Sequence, residues 1–412
     1  MKHRYLLSLF FALPLLGQSP ATVVTRQDSR HYEGHLTWEF AVPETPAPEV
    51  DLRDIQGDVF IRGQGENQVT VLERMTIRTR DEALARKLVN QYHLDMSRSD
   101  SNRYSFRGPR HVPNEIHYLY DVTLPPNARM TVSTLGGNIH LNQVQGVLQL
   151  RTGGGNIDIQ ELVGVVTGKT SGGNFSVNQY EGVLTLETSG GNITIQQGDG
   201  PLDVTTSGGD IRITHIHGDA TLSTSGGSLY LEDVHAQTIT GTTSGGNIQV
   251  QSSAGELHLS TSGGHIHLMD IQGPVEATTS GGNITAVQIE GPLDVTANSG
   301  SITGKTIQAA VKATTRNGHI MIEKTWDHSW DNQAIRLENQ NGNITLKLPK
   351  DFPASVLATI VGQKSPSGLL SDIPLDINVD AKALTGKGIT DQGTYQVELI
   401  TKNGTIVIKQ EP

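Results

Sequence analysis

The chain has no cysteine among its 412 residues, which excludes a disulfide framework, a thiolate metal site and lipid attachment at an N-terminal cysteine. Positive charge is also short. A formal net charge of −11 argues against nucleic acid or an anionic membrane as a main partner. Aromatics make up only 5 % of the residues, so the few tryptophans carry more weight than usual. Beyond residue 21 no stretch is apolar enough to span a bilayer. The one long apolar run, Tyr5 to Leu16, is too short to span. It follows Lys2, His3 and Arg4 and precedes the small residues Ser19 and Ala21, as in an export signal. Residues 1–21 are therefore expected to be removed, with retention as a membrane anchor the alternative, and the protein to be exported: periplasmic, cell-surface or secreted.

Glycine is plentiful, at 46 residues, and it is periodic. TSGGNITI at 188–195 returns as TSGGDIRI at 206–213 and TSGGSLYL at 224–231. Aligned on the apolar residue after the glycines, the series is Ile139, Ile157, Phe175, Ile193, Ile211, Leu229, Ile248, Ile266, Ile284, Ile302 and Ile320. The step is eighteen residues throughout except nineteen between Leu229 and Ile248. Further apolar files lie two residues after each anchor, as in Ile195 and Ile213, and nine and seven before it, as in Leu202 and Val204. Alternation of apolar and polar residues at period two marks strands with one buried face. The expected fold is all-β: a single-stranded parallel β-solenoid (β-helix) of ~18-residue coils with two strands per coil, stacked about 4.8 Å apart. One coil cannot offset its own ordering entropy, so stability must come from neighbours.

The repeated phrase reads as corner architecture rather than as a ligand loop. The second glycine of each pair recurs at Gly173, Gly191, Gly209, Gly227, Gly246, Gly264 and Gly282, which calls for positive φ or for a site with no room for a Cβ. The next position is Asn174, Asn192, Asn247 or Asn283 in most coils, and stacked amides there are expected to bond from coil to coil. Threonines such as Thr188 and Thr206 are expected to act similarly inside the bend. The extra residue of the long repeat is placed between Val234 and Ile239.

The frame reappears outside the array. VDLRDIQGDVFI (50–61) sets Val50 and Leu52 nine and seven residues before Val59, and TYQVELITKNGTIVI (394–408) does the same around Ile406. Between the first coil and the array, DEALARKLVNQY reads as a helix with Leu84 and Leu88 on one face and Ala85, Val89 and Tyr92 beside it. The expected organisation is a signal peptide at 1–21, then a first coil and α/β-containing N-terminal cap with one helix at 22–128. The repeat array follows at 129–348, and C-terminal coils and a cap at 349–412.

An export signal, an early DIQGDVFI coil, a helix-bearing insert, the SGGNI array and the closing TKNGTIVIK together resemble the bacterial putative-adhesin family, β-helical cell-envelope proteins of a domain of unknown function. The resemblance covers roughly residues 36–410 and rests on corner motifs, which report fold rather than chemistry. It implies an extracytoplasmic, non-enzymatic surface or scaffold protein, in a family sometimes associated with envelope-stress systems. No catalytic residues are carried over.

Chemistry is sought in the side chains that leave the pattern. A calcium β-roll needs aspartates in register, and Asp210 stands alone in its file. Outward Thr and Ser files such as Thr205, Ser223 and Thr242 suit a soluble strand better than an ice-binding face. His258, Glu276, Asp294 and Lys312 share one position in four consecutive coils. Glu276 and Asp294 then sit about 5 Å apart, a separation like that of a retaining glycosidase. No cleft is evident from the small flanking residues, so a solvated charge ladder is the simpler reading. The pairs His215/His217 and His265/His267 put two rings on one strand face, but without a third ligand no metal is assigned. The twenty-four-residue step from Ile320 to Ile344 carries KTWDHSWDNQ. Trp326, Asp327, His328, Trp330 and Asp331 are the best candidate ligand residues in the chain, and the same loop also reads as a plug on the solenoid. The function expected is non-catalytic binding or scaffolding of an envelope polysaccharide or envelope protein, without cofactors. The alternative is a carbohydrate-active β-helix enzyme acting on an envelope polysaccharide.

Overall fold

Residues eighteen apart lie side by side in parallel strands. In the computed structural model, which describes residues 22–42, 45–63, 67–100, 102–363 and 365–411, strand accounts for 64 % of the described residues and helix for 3 %. This is a β-solenoid pattern. The expected signal segment lies outside the described residues. The chain divides into two compact units, residues 1–155 with 161–163, and residues 156–160 with 164–412.

In the second unit the anchor file runs Ile157–Phe175–Ile193–Ile211–Leu229–Ile248–Ile266–Ile284–Ile302–Ile320–Ile344–Ile406, each hydrogen-bonded in register to the next. All of these side chains are buried. The second strand stacks likewise, with Leu184, Leu202, Ala220, Ile239, Leu257, Val275, Leu293 and Val311 in one file. The nineteen-residue step is absorbed by a register shift between His235 and Thr238. There the Asp219 carboxylate accepts the Gln237 and Thr238 N–H groups, both at 3.0 Å.

The coil differs from the expected two-strand plan in one respect. A third inward-facing stretch joins the two strands and buries Ile216, Val234, Ser253, Ile271, Ile289 and Ile307. It begins at a residue in the left-handed region that is never glycine: His215, Asp233, Ser252, Asp270, Gln288 or Thr306, with φ between 52° and 55°. This file also takes very unequal residues. Tyr180 fills space that its neighbour Gly198 leaves open, where a Cβ would lie 1.9 Å from the tyrosine ring.

Of the two constraints expected at the corner glycines, the structure shows the lack of room for a Cβ. None of Gly173, Gly191, Gly209, Gly227, Gly246, Gly264 and Gly282 has positive φ. Positive φ is found at the opposite corner, at Gly182, Gly200, Gly218, Gly255 and Gly273, and in this file further along, at Gly318 and Gly342. The second glycine of each pair is required because a Cβ would stand on the backbone of the preceding coil, 2.0 Å from the Gly191 oxygen in the case of Gly209. The amide ladder is likewise of another kind. The Asn192 N–H donates to the Asn174 Oδ1 at 2.7 Å and the Asp210 N–H to the Asn192 Oδ1 at 2.8 Å. Each side chain thus accepts from the next coil's backbone, which explains why Asp210, Ser228 and His265 substitute for asparagine: all present an acceptor. The buried threonines form a second relay. The Thr206 Oγ1 donates to the Gly191 carbonyl at 2.9 Å and accepts from the Gly209 N–H at 3.3 Å.

In the first unit Val59 pairs with Ile139, and Val50 with Met130, in parallel. Between Val59 and Ile139 the chain leaves the coil, and its strands Gln68–Arg78 and Ile116–Leu124 form an antiparallel sheet with the earlier strand His31–Ala41. The helix Glu82–Gln91 is N-capped by Asp81, which accepts from the Ala83 and Leu84 N–H groups. Its buried face is Ala85 and Val89, while Leu84 is exposed. Val89 packs where Gly34 leaves no Cβ, so the sheet selects the smaller side of the helix.

That sheet buries an acid. Glu73 is fully enclosed and accepts the Leu94 N–H at 3.0 Å. Burial pushes its carboxyl up to about 8 against the opposing pull of that bond. The group is protonated in the fold and ionised in the unfolded chain above its ordinary 4.5. Stability contributed below that pH is therefore lost as pH rises towards about 8. Glu73→Gln is expected to flatten this slope, gaining on the order of 3 kcal/mol relative to wild type at pH 8 compared with pH 4.5. Urea denaturation across pH checks this; parallel curves for the two proteins would refute it.

Near the C-terminus of the second unit, Ala354–Val361 runs antiparallel to Ala383–Ile389 and parallel to Tyr395–Asn403. The chain then re-enters the anchor file at Ile406.

Candidate functional site

One outward file of the second strand loses its hydroxyls and becomes charged. His258, Glu276, Asp294, Lys312, Arg336 and Glu398 follow one another in register. The alternation that sends Leu257, Val275, Leu293 and Val311 inward sends these six outward. Two residues earlier in the same coils stand Glu256, Pro274, Pro292, Ala310, Ala334 and Gln396. Most of these are small or cyclic, so the surface dips beside the charged file. The result is a groove of about 610 Å³. In the sequence the flanking residues are small and no cleft is evident. Here they form its floor.

The charges in the groove are partly paired. The His258 ring lies 3.1 Å from Glu256 and 3.2 Å from Glu276. The Lys312 ammonium lies 2.7 Å from Asp294, and Arg336 pairs with Glu398. Glu276 and Asp294, 67 % and 45 % exposed, face solvent beside the His258 ring and the Lys312 ammonium, so nothing sequesters either as a dry general acid. Beyond the charged file lies a hydroxyl file, with Ser260, Thr278, Thr296 and Thr314 in consecutive register.

The loop between Ile320–Lys324 and Ile335–Asn341 is organised from below. Lys324 is buried, and its ammonium donates to the Ile307, Gln308 and Thr325 carbonyls at 3.1, 2.6 and 2.9 Å and to the Gln333 side chain. Desolvation brings its pKa down to about 7, with Asp327 pulling the other way. Gln333 is also buried and donates to the carbonyls of Asp327 and Trp330. Trp326 turns back against His328 and Phe352, with ring centroids at 4.2 and 6.1 Å. The Asp327 carboxylate accepts the Ser329 N–H. His328 and Asp331 are exposed and Trp330 half-buried. Of the five residues singled out from the sequence, the fold brings the Trp326 and His328 rings together. The loop meets the groove through Asn332 and Ala334, residues that carry no sequence signal.

The first histidine pair separates. His215 sits at a left-handed φ of 55°, which breaks the alternation needed to align it with His217; His217 stacks instead on His235 of the next coil, centroids 5.4 Å apart. His265 uses Nδ1 to accept the Asn283 N–H at 2.9 Å. Among the described residues no three His, Cys, Asp or Glu side chains are grouped to hold a metal ion. Nor is any helix there long and apolar enough to cross a membrane.

Parallel coils stacked in register, with an outward groove running across the rungs, define a repetitive β-solenoid. The chain belongs to the Toastrack DUF4097 family, whose profile matches residues 48–231 and 192–324. No curated protein matches it. Among solved structures it is similar to a putative adhesin from Bacteroides fragilis, at 12 % identity over 71 % of this chain and 97 % of that one, with a TM-score of 0.24. It is also similar to a putative cell adhesion protein from Clostridium sporogenes, at 10 % identity over 92 % and 100 % of the two chains, TM-score 0.17. A third, a putative lipid binding protein from Parabacteroides distasonis, gives 10 % identity over 74 % and 96 %, TM-score 0.26. Scores this low transfer neither fold nor function.

Proposed function

We propose that the protein is a non-catalytic, adhesin-like envelope protein, exported to the periplasm, the cell surface or the medium, that holds an extended polysaccharide along its groove. The eighteen-residue coil is the structural unit, the excursions at 62–128 and 349–394 act as caps on the open sheet ends, and the tryptophan loop plugs and walls the groove rather than binding on its own. The observation that carries this reading is the alignment of three outward files, small or cyclic, charged and hydroxyl-bearing, across the same rungs. Rungs repeat at about 4.8 Å, whereas a peptide crossing them advances about 3.3 Å per residue and falls out of step. A pyranose unit is close to one rung in length, so a glycan meets equivalent side chains at each sugar.

Affinity electrophoresis in gels containing envelope polysaccharide tests this. Ala310→Arg with Ala334→Arg fills the floor from outside the core and is expected to weaken retention about tenfold or more; unchanged retention would exclude the groove. The second reading, a glycan-cleaving enzyme, is favoured only by the placement of Glu276 and Asp294 on adjacent rungs of a groove. New reducing ends that appear with wild type and vanish in Glu276→Gln or Asp294→Asn would establish it. None is expected.

A further inference from the structure

We infer that the groove selects glycans bearing free amines, and that the selecting position is the stretch between Glu256 and Asp294; this rests on the glycan-groove reading above. The groove is lined by four carboxylates, Glu256, Glu276, Asp294 and Glu398, against two permanent cations, Lys312 and Arg336. Both cations are engaged, Lys312 with Asp294 and Arg336 with Glu398. The other two carboxylates share a single imidazole, that of His258, at 3.1 and 3.2 Å. Unmatched negative charge therefore gathers at one end of the groove, and a polyanion entering there meets repulsion in a protein whose net charge is already −11.

The apolar floor lies on the same rungs. Pro274 stands between Glu256 and Pro292 in the neighbouring file, and Pro274 is exposed. A pyrrolidine ring offers only C–H surface and no N–H donor, which suits the C–H face of a sugar ring. A glycan lying on Pro274 and Pro292 carries its substituents beside Glu256 and Glu276. An ammonium there forms charge-assisted hydrogen bonds that an acetamide does not. Asp294 and Lys312 continue the rail as a neutral pair. The charge pattern thus reads as selection for one substituent on an otherwise sugar-shaped floor.

The test is calorimetry with the full mature chain and three probes: chitosan oligosaccharides with protonated amines, chitin oligosaccharides with the same backbone N-acetylated, and polygalacturonate. Chitosan is expected to bind at least tenfold more tightly than chitin and polygalacturonate not at all. The advantage should shrink with added salt and vanish in Glu256→Gln with Glu276→Gln, exposed positions where the amide keeps the shape. Equal affinity for chitosan and chitin, with both lost in Ala310→Arg/Ala334→Arg, would overturn amine selection and leave the groove reading standing. Absence of binding to every probe would count against both. Oligolysine competing as well as chitosan would reduce the site to a general acidic surface and overturn the proposal.

Discussion

Gly209→Ala is expected to lower stability by about 3 kcal/mol or more, or to prevent folding, while Gly208→Ala one residue earlier changes it by less than about 0.5 kcal/mol. The two glycines sit side by side in one phrase and face different surroundings. A Cβ at Gly209 lies 2.0 Å from the Gly191 carbonyl oxygen and 2.4 Å from its carbon. That carbonyl cannot retreat, because it accepts from Thr206 and belongs to a coil packed on the one before. At Gly208 the nearest atom is 3.7 Å away, an ordinary contact. Since Gly209 is not in the left-handed region, a residue that tolerates positive φ gives no relief: Gly209→Asn should fail as Gly209→Ala does. Urea denaturation of the three variants decides the matter. Equal stability of Gly208→Ala and Gly209→Ala would mean that the coils are not stacked this closely.

Thr206→Val should be the next most damaging change, at roughly 2–4 kcal/mol, although it preserves size and shape. The hydroxyl serves two backbone groups in different coils, the Gly191 carbonyl and the Gly209 N–H, and Thr206 is buried beyond the reach of solvent. Valine leaves both groups short of a partner, each at a cost of about 1–3 kcal/mol. Thr206→Ser keeps the hydroxyl and should recover most of the loss. If serine and valine prove equally harmful, the methyl packing rather than the relay holds the corner. The same relay operates at Thr188, Thr224, Thr243, Thr261 and Thr279, so the effect should recur at each.

The inward files were legible because their occupants are uniformly apolar and their spacing is fixed. Ile193, Ile211 and Leu229 identify themselves. The third inward stretch was not, since its file mixes Tyr180, Gly198, Ile216, Ser253 and Lys324, and because the bend that creates it is made by His215 or Asp233 rather than by glycine. Corner glycines announced that something special was required without saying which of two constraints it was. Only the distance from one coil to the next separates steric exclusion from backbone handedness. The acceptor ladder was half visible. Asparagine suggested hydrogen bonding, but the partner is backbone, and it took His265 in the same role to reveal what the position requires. The groove was hidden in absences, at Pro274, Ala310 and Ala334, which gain meaning only once their rungs are aligned beside the charged file. In the helix, Leu84 and Leu88 are the larger apolar residues, yet Ala85 and Val89 are the buried pair, and Gly34 leaves room for Val89.

Because the chain has no cysteine of its own, engineered disulfides report the stacking without interference. Thr205 and Ser223 are in-register partners in adjacent coils, and Thr242 is the partner of Ser223 one coil further on. Neighbouring parallel strands are about 4.8 Å apart, within disulfide reach, whereas two rungs are about 9.6 Å and beyond it. Thr205→Cys with Ser223→Cys should oxidise quantitatively within the folded monomer, and Thr205→Cys with Thr242→Cys should not. Efficient closure of the second pair, or failure of the first in a folded protein, would show that residues eighteen apart do not lie in straight files.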